Sequence, residues 1–392
     1  VHSVSKRKDP AALKHLTYQE LDVLHSLRGF CAFYVVIFHA KYLVWSGGRQ
    51  FLDVHPRSSW SVLDYILFGL DMLSSAGYEM VILFFVLSGF FIRYAQLRKH
   101  RKPLPFYINR VARIYPPYLF ASVLAVCVLW CVATLVPAAL SVSNGRELNI
   151  TLNQAWYELQ ALNLHGIIST LGFMPIGKIY IGYNDVYWSL LPEAIFYLMV
   201  PLFLWQVRIY YIASVVLHIV GLVLSYEVGL NPFIDYFFTY NLYFAIGAFV
   251  YDIVIETRWL VSFQRVSGWI LTVVVGILFV LLLVLAVLKL KPLSGIVAAL
   301  LAVISISALL VGKVSRQNIL MRALHKLGVF SFSLYLYHFP LLLLCYGGMV
   351  YLTGETIFYE RYYWLAVPLV TIVAYVLYQV TERVSVNYFR KV

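Results

Sequence analysis

Two side chains on one apolar stretch raise the chemical question in this chain. Arg28 and His39 both lie in the run Leu24–Trp45, where an ionisable group is costly unless it is paired or faces a cavity. On a helix rising about 1.5 Å per residue, the step between them is about 16 Å. Arg28 therefore sits near one membrane surface and His39 lies deep. Glu193 follows Trp188 and Ser189 in a second apolar run, about 10 Å below the opposite surface by the same rise. His338 closes the segment Phe330-Ser-Phe-Ser-Leu-Tyr-Leu-Tyr-His338 and comes about 16 Å into a third. Three helices thus deliver His39, Glu193 and His338 to one layer, where they should turn inward and meet. A His–Glu pair can position a general base.

A second group is basic. The stretch from Arg98 to Arg113 ends in Arg110 and Arg113, which share a helical face at a spacing of three. Such a stretch suits an anionic ligand, but basic loops also fix topology and bind lipid headgroups without any ligand. Buried His, Glu and Arg residues also mark ion or solute pathways, so a multi-pass transporter is the alternative to an enzyme. A scaffold held together by polar helix contacts is a third reading. His25 near the interface, His218 in an apolar run and His165 in a loop read as structural.

The elements that must position these groups are membrane helices. Of 392 residues, 62% are hydrophobic and 12% charged, about half the charge of a soluble domain. Apolar runs predict about ten spans, near Leu24–Trp45, Ser74–Tyr94, Ile114–Ala139, Val186–Trp205, Ile209–Ser225, Phe233–Ile255, Gly268–Leu288, Leu293–Val311, Leu327–Val350 and Tyr363–Val380. The expected fold is an all-α polytopic bundle. With the N-terminus inside, the cytoplasmic segments hold twenty Lys and Arg against seven outside, which places both termini in the cytoplasm. The net charge of +12 thereby reads as topology and contact with membrane lipids, and nucleic acid is not indicated. Residues 1–23 form a cytoplasmic segment, 24–380 the membrane domain and 381–392 a cytoplasmic tail. Long outer loops at 46–73 and 140–185 are free to cover a site or hold a substrate. Cys31, Cys127, Cys131 and Cys345 fall in apolar runs and read as buried thiols, neither disulfides nor metal ligands.

Several segments together resemble the acyltransferase-3 family of membrane acyltransferases along nearly the whole chain. Leu24-His-Ser-Leu-Arg-Gly29 with His39 is similar to the family's arginine, ten-residue gap, histidine signature, and Phe84-Phe-Val-Leu-Ser-Gly-Phe-Phe-Ile92 to its second-helix motif. Phe106-Tyr-Ile-Asn-Arg-Val-Ala-Arg-Ile-Tyr-Pro116 resembles a segment with two adjacent basic residues, the first replaced here by Asn109. Trp188-Ser-Leu-Leu-Pro-Glu193, Ser333-Leu-Tyr-Leu-Tyr-His338 and Glu382-Arg383 match three later motifs, with Pro192 a departure and no proline after Arg383. The resemblance implies transfer of an acyl group, usually acetyl from acetyl-CoA, to a hydroxyl of a surface carbohydrate or glycolipid, with no bound cofactor and no appended esterase-like domain. It also implies an integral protein of the bacterial inner membrane. On that basis His39 and Glu193 are the candidate catalytic residues, with His39 acting as base or as transient acyl carrier. Arg28, Ser333 and His338 are supporting groups, Ser333 and His338 on the acceptor side. Arg93, Arg110 and Arg113 would bind the phosphates of the acyl-CoA donor.

Overall fold

The computed structural model describes residues 16, 21–99, 103–203, 206–227, 232–256, 258–315 and 317–389. Most of the N-terminal segment, the basic residues Arg101 and Lys102, and the last three residues of the tail lie outside the described residues. The described chain is helical throughout, without a strand. The main helices are α1 (Leu24–Val44), α2 (Val62–Met72), α3 (Gly77–Lys99), α4 (Pro103–Leu135), α5 (Glu147–Gln160), α6 (Leu190–Phe203), α7 (Val207–Glu227) and α8 (Pro232–Glu256). They continue with α9 (Gly268–Val287), α10 (Lys291–Leu310), α11 (Ile319–Val329), α12 (Ser331–Thr353), α13 (Tyr363–Val380) and α14 (Glu382–Phe389).

Nine candidate spans are long and apolar enough to cross a membrane among the described residues. A helix satisfies its own backbone groups, which is why apolar runs of this length become helices in lipid. The segment expected at Val186–Trp205 differs. Asp185–Ser189 forms a 3₁₀ turn and only Leu190–Phe203, 14 residues, is α-helical. That shorter helix brings Glu193 into its first turn instead of the middle of a long span.

Burial separates core from rim. In α9 only 11% of the most apolar window is buried, against 61% in α12, so α9 faces lipid and α12 runs through the centre. Around α12 stand α1, α4 and α13, while α3 lies against α1, α8 and α10. Two contacts fix the core closely. A side chain at Gly29 would fall 1.9 Å from the Leu324 carbonyl oxygen, and one at Gly328 would fall 1.8 Å from that of His25. The backbones of α1 and α11 therefore touch, the close approach that small residues allow between membrane helices. The neighbour of Gly29 is Arg28, whose position is set by this crossing.

Candidate active site

Where α1, α4, α6 and α12 begin and α3 and α13 end, the helices leave a cavity of about 520 Å³. Arg28, Arg110 and Arg113 line it, together with Glu193, Tyr197 and Ser88. Glu193 is held from two sides: the Ser88 hydroxyl donates to its Oε1 at 2.8 Å, and the Tyr197 hydroxyl, one turn along α6, donates to the same oxygen. No donor among the described residues reaches its Oε2. Arg110 stacks across Tyr197 and Phe106, its guanidinium carbon 5.2 and 5.6 Å from the two ring centres. Its Nε is buried without a hydrogen-bond partner.

None of the three cavity arginines forms an ion pair among the described residues. The three carboxylates of the cavity wall have partners of their own: Asp22 Oδ2 lies 3.0 Å from His325 Nε2, Glu193 accepts from the two hydroxyls, and Glu382 accepts from the Ser333 backbone N–H at 3.2 Å and its hydroxyl at 2.7 Å. A carboxylate on the first turn of α12 suits the positive end of that helix. Three guanidinium groups on one cavity wall, none ion-paired among the described residues, suit an anionic ligand, since guanidinium forks match phosphate oxygens.

Further along α1, His39 meets His338. The His39 Nδ1 lies 3.0 Å from His338 Nε2, and the ring centres are 5.1 Å apart. The other nitrogen of His338, Nδ1, lies 3.0 Å from the Leu334 carbonyl. A carbonyl oxygen only accepts, so His338 Nδ1 carries hydrogen, and in the neutral ring its Nε2 holds a lone pair. That lone pair accepts from His39 Nδ1–H, which leaves the lone pair of His39 on Nε2. The tautomer is assigned from this network, and it leaves His39 a base at its outer nitrogen. Phe38 and Phe339 pack edge-on to the His39 ring at 5.1 and 5.3 Å.

Tyr335 stands between the two regions. It lines the arginine cavity, its ring centre is 5.9 Å from that of His338, and its hydroxyl bonds Ser189 Oγ at 2.8 Å and the Val186 carbonyl at 3.0 Å.

The structure thus brings together some of the residues singled out in the sequence and separates others. Arg28, Arg110, Arg113 and Glu193 share the cavity, and His39 and His338 form a pair. Glu193 does not orient His39; its partners are Ser88 and Tyr197. Ser333 sits in the first turn of α12 with Glu382, away from His338. Arg93 is separate: its Nε donates to Asp252 Oδ1 at 2.7 Å and its Nη1 to Gln96 at 2.7 Å, while Tyr211 donates to Asp252 Oδ2 at 2.6 Å. This buried pair ties α3 to α8 and α7, so the charge of Arg93 is neutralised within the protein.

Ser88 and Tyr197 are site residues that the sequence reading passed over. Ser88 is the one polar side chain in its motif, and Tyr197 lies four residues after Glu193 on the same face. His25, read as structural, also lines the cavity. Of the cysteines only Cys31 is buried, and Cys127 faces outward on α4. Asn149, which heads a formal glycosylation tripeptide, is buried and accepts from the Tyr346 hydroxyl at 2.9 Å.

The comparison with protein families matches an acyltransferase domain, the acyltransferase-3 type, to residues 21–379. This span runs from the start of α1 to the end of α13 and includes every site residue above except Glu382. No curated protein and no solved structure matches the chain. The chain belongs to the acyltransferase-3 family and is an integral, multi-pass membrane acyltransferase.

Proposed function

We propose that the protein transfers an acyl group, acetyl in the first instance, from acyl-CoA to a hydroxyl of a cell-surface carbohydrate or lipid-linked glycan. The observation that carries this reading is the set of three arginines without ion-pair partners in one cavity, with a histidine pair beyond its wall. Arg28, Arg110 and Arg113 hold the donor's phosphates. Glu193, through the oxygen that Ser88 and Tyr197 leave open, accepts from an amide or hydroxyl of the donor. The basic residues clustered at this end favour the cytoplasm as the side from which the donor enters.

The donor's thioester extends past Tyr335 to His39. There His39 Nε2 takes the proton of the acceptor hydroxyl as its oxygen attacks the thioester carbon. The carbon–sulfur bond breaks, CoA leaves as thiolate, and the proton on His39 passes to that sulfur. The products are the ester and free CoA, with His39 returned to its starting form. His338 keeps the proton of His39 on Nδ1 throughout and acts as a positioning residue.

The deciding experiment supplies protein in liposomes with labelled acetyl-CoA and a panel of glycans. Label should appear on a glycan with the wild type and disappear with His39→Ala. Gradient-driven uptake of a solute, with neither acetyl transfer nor CoA release, would instead favour a transporter.

A further inference from the structure

A second, smaller cavity opens beside Phe106. It is lined by Ala95, Gln96, Pro103, Phe106, Val200 and Pro201 and has a volume of about 140 Å³. A single water needs roughly 10–15 Å³ by this measure, so the space suits a rigid group of about ten heavy atoms. Its walls are one phenyl ring, two prolines and two aliphatic side chains. The single hydrogen-bonding side chain is Gln96, whose Oε1 accepts from Arg93 and is thereby held in place. Among the described lining residues the phenyl ring of Phe106 offers a flat apolar face, which suits a heteroaromatic ring.

Phe106 joins the two spaces. It lines the small cavity while Arg110 lies against its ring at 5.6 Å, and Arg110 itself lines the large cavity. A stacking surface therefore stands one aromatic ring away from a cluster of phosphate-seeking guanidinium groups. Only a ligand that carries an aromatic base beside several phosphates uses both. We propose that the small cavity seats the purine ring of the donor nucleotide, stacked on Phe106, while the large cavity holds its phosphates.

This assignment rests on acyl-CoA as donor, and the test separates the two. Binding of CoA and of inorganic pyrophosphate is measured by calorimetry on the purified full-length protein in detergent, for wild type, Ala95→Phe and Val200→Trp. The two variants fill the small cavity from different helices, α3 and α6, so that a folding defect in one leaves the other informative. Each should weaken CoA by about ten-fold or more, in line with the value of base stacking on an aromatic side chain, and leave pyrophosphate within two-fold. Equal weakening of both ligands, or unchanged CoA affinity in a folded variant, overturns the purine assignment. Wild-type protein that binds no CoA overturns the donor reading itself.

Discussion

The two ends of α1 carry similar densities of charge and use them in opposite ways. At the Arg28 end, three guanidinium groups line a cavity and form no ion pair among the described residues. At the other end, Asp71 is fully buried and its charge is matched several times over. Arg361 Nε donates to it at 2.9 Å, the Tyr363 hydroxyl donates to its other oxygen, and Lys41 donates to its backbone carbonyl. The Arg361 guanidinium also covers the rings of Trp45 and Phe51 at 5.6 and 5.7 Å. Charge consumed by neighbours builds architecture; charge left open at a cavity wall waits for a ligand. Arg93 makes the same point within one group of arginines, since its pairing with Asp252 removes it from the donor site.

Substitutions at four positions test that division, in descending order of effect. His39→Ala should lower acyl transfer by about 10²–10⁴-fold, the usual contribution of a positioned base, with CoA affinity unchanged in a binding assay. Asp71→Ala should cost about 3–5 kcal/mol, as expected when one partner of a buried ion pair is removed, read as a lower thermal unfolding midpoint in detergent. Donor affinity of that variant, measured below its midpoint, should remain as in the wild type.

Arg113→Ala should do the reverse. It should lose roughly 1.5–3 kcal/mol of donor binding, typical of a hydrogen bond to a charged group, and leave the unfolding midpoint in place. A midpoint that falls with Arg113→Ala would place this arginine in the architecture instead. The smallest effect is expected at His338. His338→Gln keeps an oxygen acceptor for His39 Nδ1–H and should reduce kcat by about ten-fold, about 1.4 kcal/mol, without raising KM. His338→Phe, which offers no acceptor, should fall further. Equal rates for the two variants would remove the tautomer role.

Helix rise made depth legible in the sequence: the separation of Arg28 from His39, and the placing of His338 in the same layer, follow from counting residues. Rotation about each helix axis was not legible. Glu193 and His39 were expected to meet because they share a depth, but the 3₁₀ turn at Asp185–Ser189 and the shorter α6 direct Glu193 to Ser88 and Tyr197. Arg93 was grouped with Arg110 and Arg113 by its position at the basic end. Its partner Asp252 is 159 residues away, and no local pattern announces such a pairing. The cavity itself is a property of six helix ends converging, and spacing along one helix cannot reveal it.

The backbone contact of Gly29 with Gly328 and its neighbours bears on the rival reading of the molecule. A carrier that alternates its access must let one group of helices rock against another, and its central helices must part or slide at each cycle. With α1 touching α11 through the carbonyls of Leu324 and His25, sliding by even one residue would drive main chain into main chain. The helix that carries Arg28 and His39 is thereby held in register against α11. On the function proposed above, the flexible arm of the acyl donor lies along this helix.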